Sequence, residues 1–194
     1  SSESLGDGMK KEYVSGKSKK EVLASIARLP KFPGSACTKL IKKELIVNQD
    51  LYFKKGLLSE DIDWTIGLLL SANTFSYCGE DYYYYRQNRM GSITNSVNKK
   101  SLDSLLYIIK KWARKDNEMP YQNDINSFLS FEYMIILYNY ANLPISDQDT
   151  LKKEIDSYKW IMNYSKTRKT KIVSLCIKIL GISLTSKLLN IYKK

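Results

Sequence analysis

The sequence predicts an α+β protein that is mainly α-helical, with a few short strands followed by a helical tail. Three observations lead there. Ile62, Ile66, Leu69 and Leu70 recur at the spacing of one helix face. Thr74–Cys78 and Tyr82–Arg86 are rich in β-branched and aromatic residues and are joined by Gly79-Glu80-Asp81, the composition of two paired strands. From Ser101 onward, amphipathic stripes follow one another to the end of the chain. A length of 194 residues and 43% hydrophobic content suit one domain with a true core, or part of a larger one. The boundaries expected are 1–98 for the region with strands, 99–165 for a helical extension and 166–194 for a basic amphipathic tail.

The elements follow in order. Residues 1–17 are polar, and Gly16-Lys17-Ser18 lacks the glycine and the preceding apolar strand of a phosphate-binding loop. Ser18 to Glu21 spells a capping box, with Val22, Ile26 and Leu29 as the stripe of a short helix ended by Pro30 and Pro33. Ser35 or Thr38 is expected to cap a second helix, Leu40, Ile41 and Leu45 facing inward. Asn48-Gln49-Asp50 reads as a turn, and Leu51–Phe53 as a short extended piece. Ser59 is expected to cap a helix over 60–73, with Glu60 and Asp61 in the first turn, where the macrodipole favours acids. Leu102, Leu105, Leu106, Ile109 and Trp112 make one stripe. Helix 122–141 is apolar nearly all round and reads as the central buried helix. Pro144 breaks it. Another amphipathic helix then carries Leu151, Ile155, Tyr158 and Met162 inward. The end reads as a basic hinge at 166–171, a helix over 172–180, Gly181 as C-cap and a helix over 184–192.

Composition removes several chemistries. There is no histidine, which excludes imidazole bases, Ser-His and Cys-His pairs and His-containing zinc sites. Cys37, Cys78 and Cys176 are far apart and odd in number, so they read as reduced, mostly buried thiols. The first residues carry no signal-peptide core, and no uncharged run reaches the ~20 residues that span a bilayer. Net charge is +11, yet Asp156 is the last acid. Nine cations follow it: Lys159, Lys166, Arg168, Lys169, Lys171, Lys178, Lys187, Lys193 and Lys194. The positive charge belongs to the tail.

Two clusters are candidates for chemistry. Glu60 and Asp61 are adjacent, about 100° apart on a helix, so one can face a cleft while the other meets backbone or a basic group. A carboxylate within reach of a hydroxyl serves as a general base. Arg86 and Arg89 bracket a loop that continues through Ser92 and Thr94, and guanidinium forks match phosphate oxygens in bidentate fashion.

Three blocks, Ala36–Ile46 (ACTKLIKKELI), Phe53–Asp61 (FKKGLLSED) and Tyr84–Thr94 (YYRQNRMGSIT), together resemble the bacterial family 2 glycosyltransferases. These are GT-A-fold enzymes that build capsule, exopolysaccharide and lipopolysaccharide. The order and separation of the blocks match over residues 34–96, and the likeness is loose beyond. The resemblance implies the C-terminal part of a GT-A-like α/β domain with an inverting mechanism. Asp61 falls in the place of the catalytic base, and Glu60 is a supporting or acceptor-contacting acid. Arg89, Arg86 and Lys39 are implied as donor-binding, the arginines at the diphosphate. The family's apolar first strand and its Asp-x-Asp motif for Mg²⁺ or Mn²⁺ do not precede Gly34. Asp61-Ile62-Asp63 has that spelling but sits in the acceptor-side block. The chain therefore reads as the C-terminal portion of a longer enzyme, inactive alone, with the metal bound by residues absent from it. The partners implied are a nucleotide-sugar donor and a glycan or lipid-linked acceptor, in a cytoplasmic protein peripheral to the inner face of the membrane. Residues 166–194 suit an anionic membrane surface. The alternative is a non-enzymatic helical protein that binds a membrane surface or nucleic acid. Against nucleic acid, the positive charge is confined to the tail, and no helix-turn-helix or RNA-reading aromatic signature is present.

Overall fold

The structure, a computed structural model, describes residues 9–79, 83, 98–116 and 119–193. The chain divides into two compact units, Ser1–Ser92 and Ile93–Lys194.

In the first unit, a 3-10 turn at Lys11–Tyr13 leads to α1 (Lys19–Ile26). The capping box forms as the sequence indicates: the Ser18 hydroxyl accepts from the Glu21 N–H, and the Glu21 carboxylate accepts from the Ser18 N–H at 2.9 Å. A second 3-10 turn, Ala36–Thr38, precedes the short helix α2 (Lys43–Asn48). The expected helix starting at Ser35 or Thr38 is therefore displaced, and Leu40 is 78% exposed instead of inward. The turn after α2 is as read, with Asp50 in the left-handed region at φ 50°.

Helix α3 (Glu60–Ser71) ties this unit together. Its Thr65 hydroxyl donates to Gly34 O at 2.7 Å, its Trp64 indole donates to Leu51 O at 2.9 Å, and its Leu70 carbonyl accepts from Lys19 of α1. Ile66, Leu68 and Leu69 are buried with Trp64, while Ile62 and Leu70 are only half-buried. The burial thus wraps further round the helix than the four-residue stripe indicated.

The α+β expectation, and with it a GT-A-like α/β domain, is overturned: among the described residues every regular element is helical and no strand forms. Thr74–Cys78 shows why. β-branched and aromatic residues favour a strand because they fit a pleated surface that is buried on one side. Here only Ala72 of the segment 72–79 is buried, so no packed face rewards pairing. Its expected partner, Tyr82–Arg86, lies outside the described residues apart from Tyr83, which is exposed.

The second unit is built on α5 (Gln122–Tyr140), buried nearly all round as its composition requires. Against it pack α4 (Lys99–Trp112), a 3-10 segment (Lys159–Tyr164) and α7 (Arg168–Lys193); α6 (Ile145–Tyr158) contacts α4 and the 3-10 segment. Leu102, Leu105, Leu106, Ile108 and Ile109 form the inner face of α4. Buried polar groups on α5 close the ends of its neighbours. Gln122 donates to Trp112 O at 3.1 Å and Asn126 to Arg114 O at 2.8 Å, covering carbonyls at the end of α4. The Tyr133 hydroxyl donates to Ile155 O near the end of α6 at 2.9 Å. Gly181, at φ 72° and ψ 177°, bends α7 where the sequence placed a C-cap.

Candidate functional site

The start of α3 brings two of the three resemblance blocks into one place. Ser59 occupies the N-cap position, but in the left-handed region at φ 58° and with no side-chain cap bond, contrary to expectation. The Asp61 carboxylate lies in the first turn beside the backbone N–H groups of Ile62 and of Asp61 itself, which favour its charged form.

Glu60 is exposed and Asp61 half-buried, the divergence that adjacent positions on a helix impose. Burial is the main cause that holds the Asp61 carboxyl above the ordinary aspartate value, with the negative charge of Glu60 second. The two N–H groups and Lys39 pull the other way without cancelling it. The sequence reading placed this acid in the first turn, where the macrodipole favours negative charge; its burial acts in the opposite direction. Asp63, the other acid of the Asp-x-Asp spelling, is buried.

Lys39 does stand in the electrostatic reach of Asp61, but its ammonium is engaged locally. It donates to Pro33 O and to Ser35 O, each at 2.6 Å, and so braces the turn over 33–38. That turn is pressed close to α3: a Cβ on Gly34 would sit 3.1 Å from the Ile62 side chain. Lys39 thus positions the first block against the acidic pair. Arg86 and Arg89, the implied diphosphate contacts, lie outside the described residues, as do Gly91 and Thr94.

An aromatic surface was missed at the sequence level. Phe53 is half-exposed and tilts against Trp64, ring centroids 5.2 Å apart, with Trp64 three residues beyond Asp61. The signal was present in the apolar run Leu51–Phe53, whose exposure the sequence does not reveal.

Among the described residues no group of three His, Cys, Asp or Glu side chains is placed to hold a metal ion. Cys37 and Cys78 are exposed and Cys176 half-buried, which corrects the expectation of mostly buried thiols. The sequence matches no protein-family model, no curated protein and no solved structure.

Proposed function

We propose that this chain is the acceptor-side segment of an inverting glycosyltransferase of bacterial surface-polysaccharide synthesis, with Asp61 as its general base. The observation that carries the proposal is the setting of Asp61. It is a carboxylate with part of its surface open, its proton affinity raised by burial, and the resemblance's first block braced beside it through Lys39. The proposal rests on this acidic pair and not on a nucleotide-binding sheet.

The chemistry follows from those groups. An acceptor hydroxyl gives its proton to the Asp61 carboxylate as its oxygen attacks C1 of the nucleotide-activated sugar. The bond from C1 to the diphosphate oxygen breaks, the nucleoside diphosphate leaves with the electron pair, and the configuration at C1 inverts. A raised proton affinity makes Asp61 a stronger base than an ordinary surface aspartate. Glu60, exposed beside it, is assigned to acceptor contact. The Mg²⁺ or Mn²⁺ that the resemblance implies is assigned to residues outside this chain, whose own part is the acceptor's proton.

The test is transfer by the longer enzyme containing this segment. Asp61→Asn is expected to lower turnover by ~10²–10⁴-fold, the usual contribution of a positioned base, and a loss of less than about threefold removes the assignment.

A further inference from the structure

Helix α7 has two apolar faces, and only one of them is used. Val173, Ile177 and Ile182 are buried, together with Thr170, Ser174, Thr185 and Ser186. Both arms of the helix are fastened to α5: Lys169 lies over the Tyr138 ring at 5.0 Å, and the Ser186 hydroxyl donates to Leu137 O. On the outer side, Ile172, Leu175 and Ile179 of the first arm and Leu184, Leu188 and Ile191 of the second are 51–71% exposed. Within each arm the three positions fall inside about 60° of helix circumference, a stripe and not a scatter.

Charge decides what covers this stripe. Arg168, Lys171, Lys178 and Lys187 are exposed on the same helix, and no acid follows Asp156. A shallow depression at the start of α7 sets Ile172 and Leu175 beside Lys166, Arg168 and Lys171. Lys166 is already paired with Asp124, which leaves Arg168 and Lys171 to meet an anion there. A second copy docked on this face by two-fold symmetry would bring like charges together, since such an interface uses the same patch twice. A surface that is apolar beneath and anionic above meets both requirements.

We propose that the outer face of α7 docks on the surface of an anionic phospholipid bilayer, with Ile172, Leu175, Ile179, Leu184, Leu188 and Ile191 entering the acyl boundary and the basic residues meeting lipid phosphates. Although no uncharged run of spanning length exists, Arg168–Ile191 is long and apolar enough to cross a bilayer by length and composition. It lies on the surface instead of spanning it. A third of that window is buried within the fold, Gly181 bends it, and Lys178 and Lys187 would otherwise stand inside the hydrocarbon. The inference rests on α7 alone and holds whether or not Asp61 is a base.

Co-sedimentation of the full chain with vesicles tests it, comparing neutral phosphatidylcholine with vesicles containing about one third phosphatidylglycerol. Binding is expected only to the anionic vesicles, falling steeply as salt rises. The pair Ile179→Glu and Leu188→Glu is expected to weaken it at least about tenfold, and the pair Lys171→Glu and Lys178→Glu comparably, with the helical circular dichroism retained. If the glutamates disturb folding, Ile179→Ser with Leu188→Ser gives the milder reading. Four results would overturn the proposal: no binding to anionic vesicles, binding unaffected by the paired changes, retention by membranes through alkaline carbonate extraction, or a solution dimer that the apolar substitutions dissociate.

Discussion

Asp61 joins a prediction about stability to one about activity. Its carboxyl is raised above the ordinary aspartate value in the folded chain, so the folded state holds that proton more tightly than the unfolded one. The resulting destabilisation is absent below the unfolded pKa of ~3.9, grows as pH rises from there, and is complete above the raised folded pKa. Asp61→Asn is therefore expected to raise the melting temperature at neutral pH, and the gain should vanish near pH ~3.5. Thermal melts of both proteins at the two pH values check this; a variant that melts lower than wild type at neutral pH contradicts it. The same shift places the acid limb of the transfer rate above the range of an ordinary aspartate, with rate lost as pH falls through the raised value and Asp61 takes its proton. A stabilising substitution that removes turnover is the usual mark of a residue kept for chemistry. The sequence disclosed the acid at the helix start but not the direction of its shift, because burial by residues distant in sequence decides that direction. Lys39 was named from the resemblance as a donor contact; its engagement by the Pro33 and Ser35 carbonyls depends on a backbone turn that the sequence does not spell out.

At the scale of elements, legibility followed packing. Helices α3, α4 and α5 were readable because long apolar stripes or fully apolar runs leave few alternatives, and α1 because Ser18 and Glu21 state their own hydrogen bonds. The strands failed because a strand is specified by its partner and its buried face, and Thr74–Cys78 lacks the second. Leu40 misled for a related reason: an apolar residue counts as core only if something packs on it, and nothing in the local pattern says so. Gly181 shows a local signal being sufficient. At φ 72° and ψ 177° it occupies a region open essentially to glycine alone, and a Cβ there would meet no atom within 4 Å. The cost of Gly181→Ala is thus purely conformational, about 1–3 kcal/mol, and denaturant titration of the variant measures it directly. A loss below about 0.5 kcal/mol would show that α7 straightens freely.

On the scale of the whole molecule, the division into Ser1–Ser92 and Ile93–Lys194 implies two hydrophobic cores, one gathered by α3 and one by α5. The second is the larger, and α5 is enclosed by helices from its own unit, so each unit should unfold with its own cooperativity. Tyr133 offers a probe specific to one of them. Its ring is fully buried, and its hydroxyl donates to Ile155 O while the Lys159 N–H turns to Asp156 O. Burial pushes its phenol far above the ordinary tyrosine value, which favours the protonated form that donates. Tyr133→Phe keeps the packing and removes one hydroxyl, leaving a buried carbonyl without that partner at a cost of about 1–3 kcal/mol. The expected result is that only the transition of residues 93–194 moves. Denaturant unfolding followed by circular dichroism and by fluorescence, with Trp112→Phe and Trp160→Phe placed in both proteins so that Trp64 of the first unit is the tryptophan observed, distinguishes the two; a Trp64 transition that shifts together with the helical signal would mean that the units unfold as one.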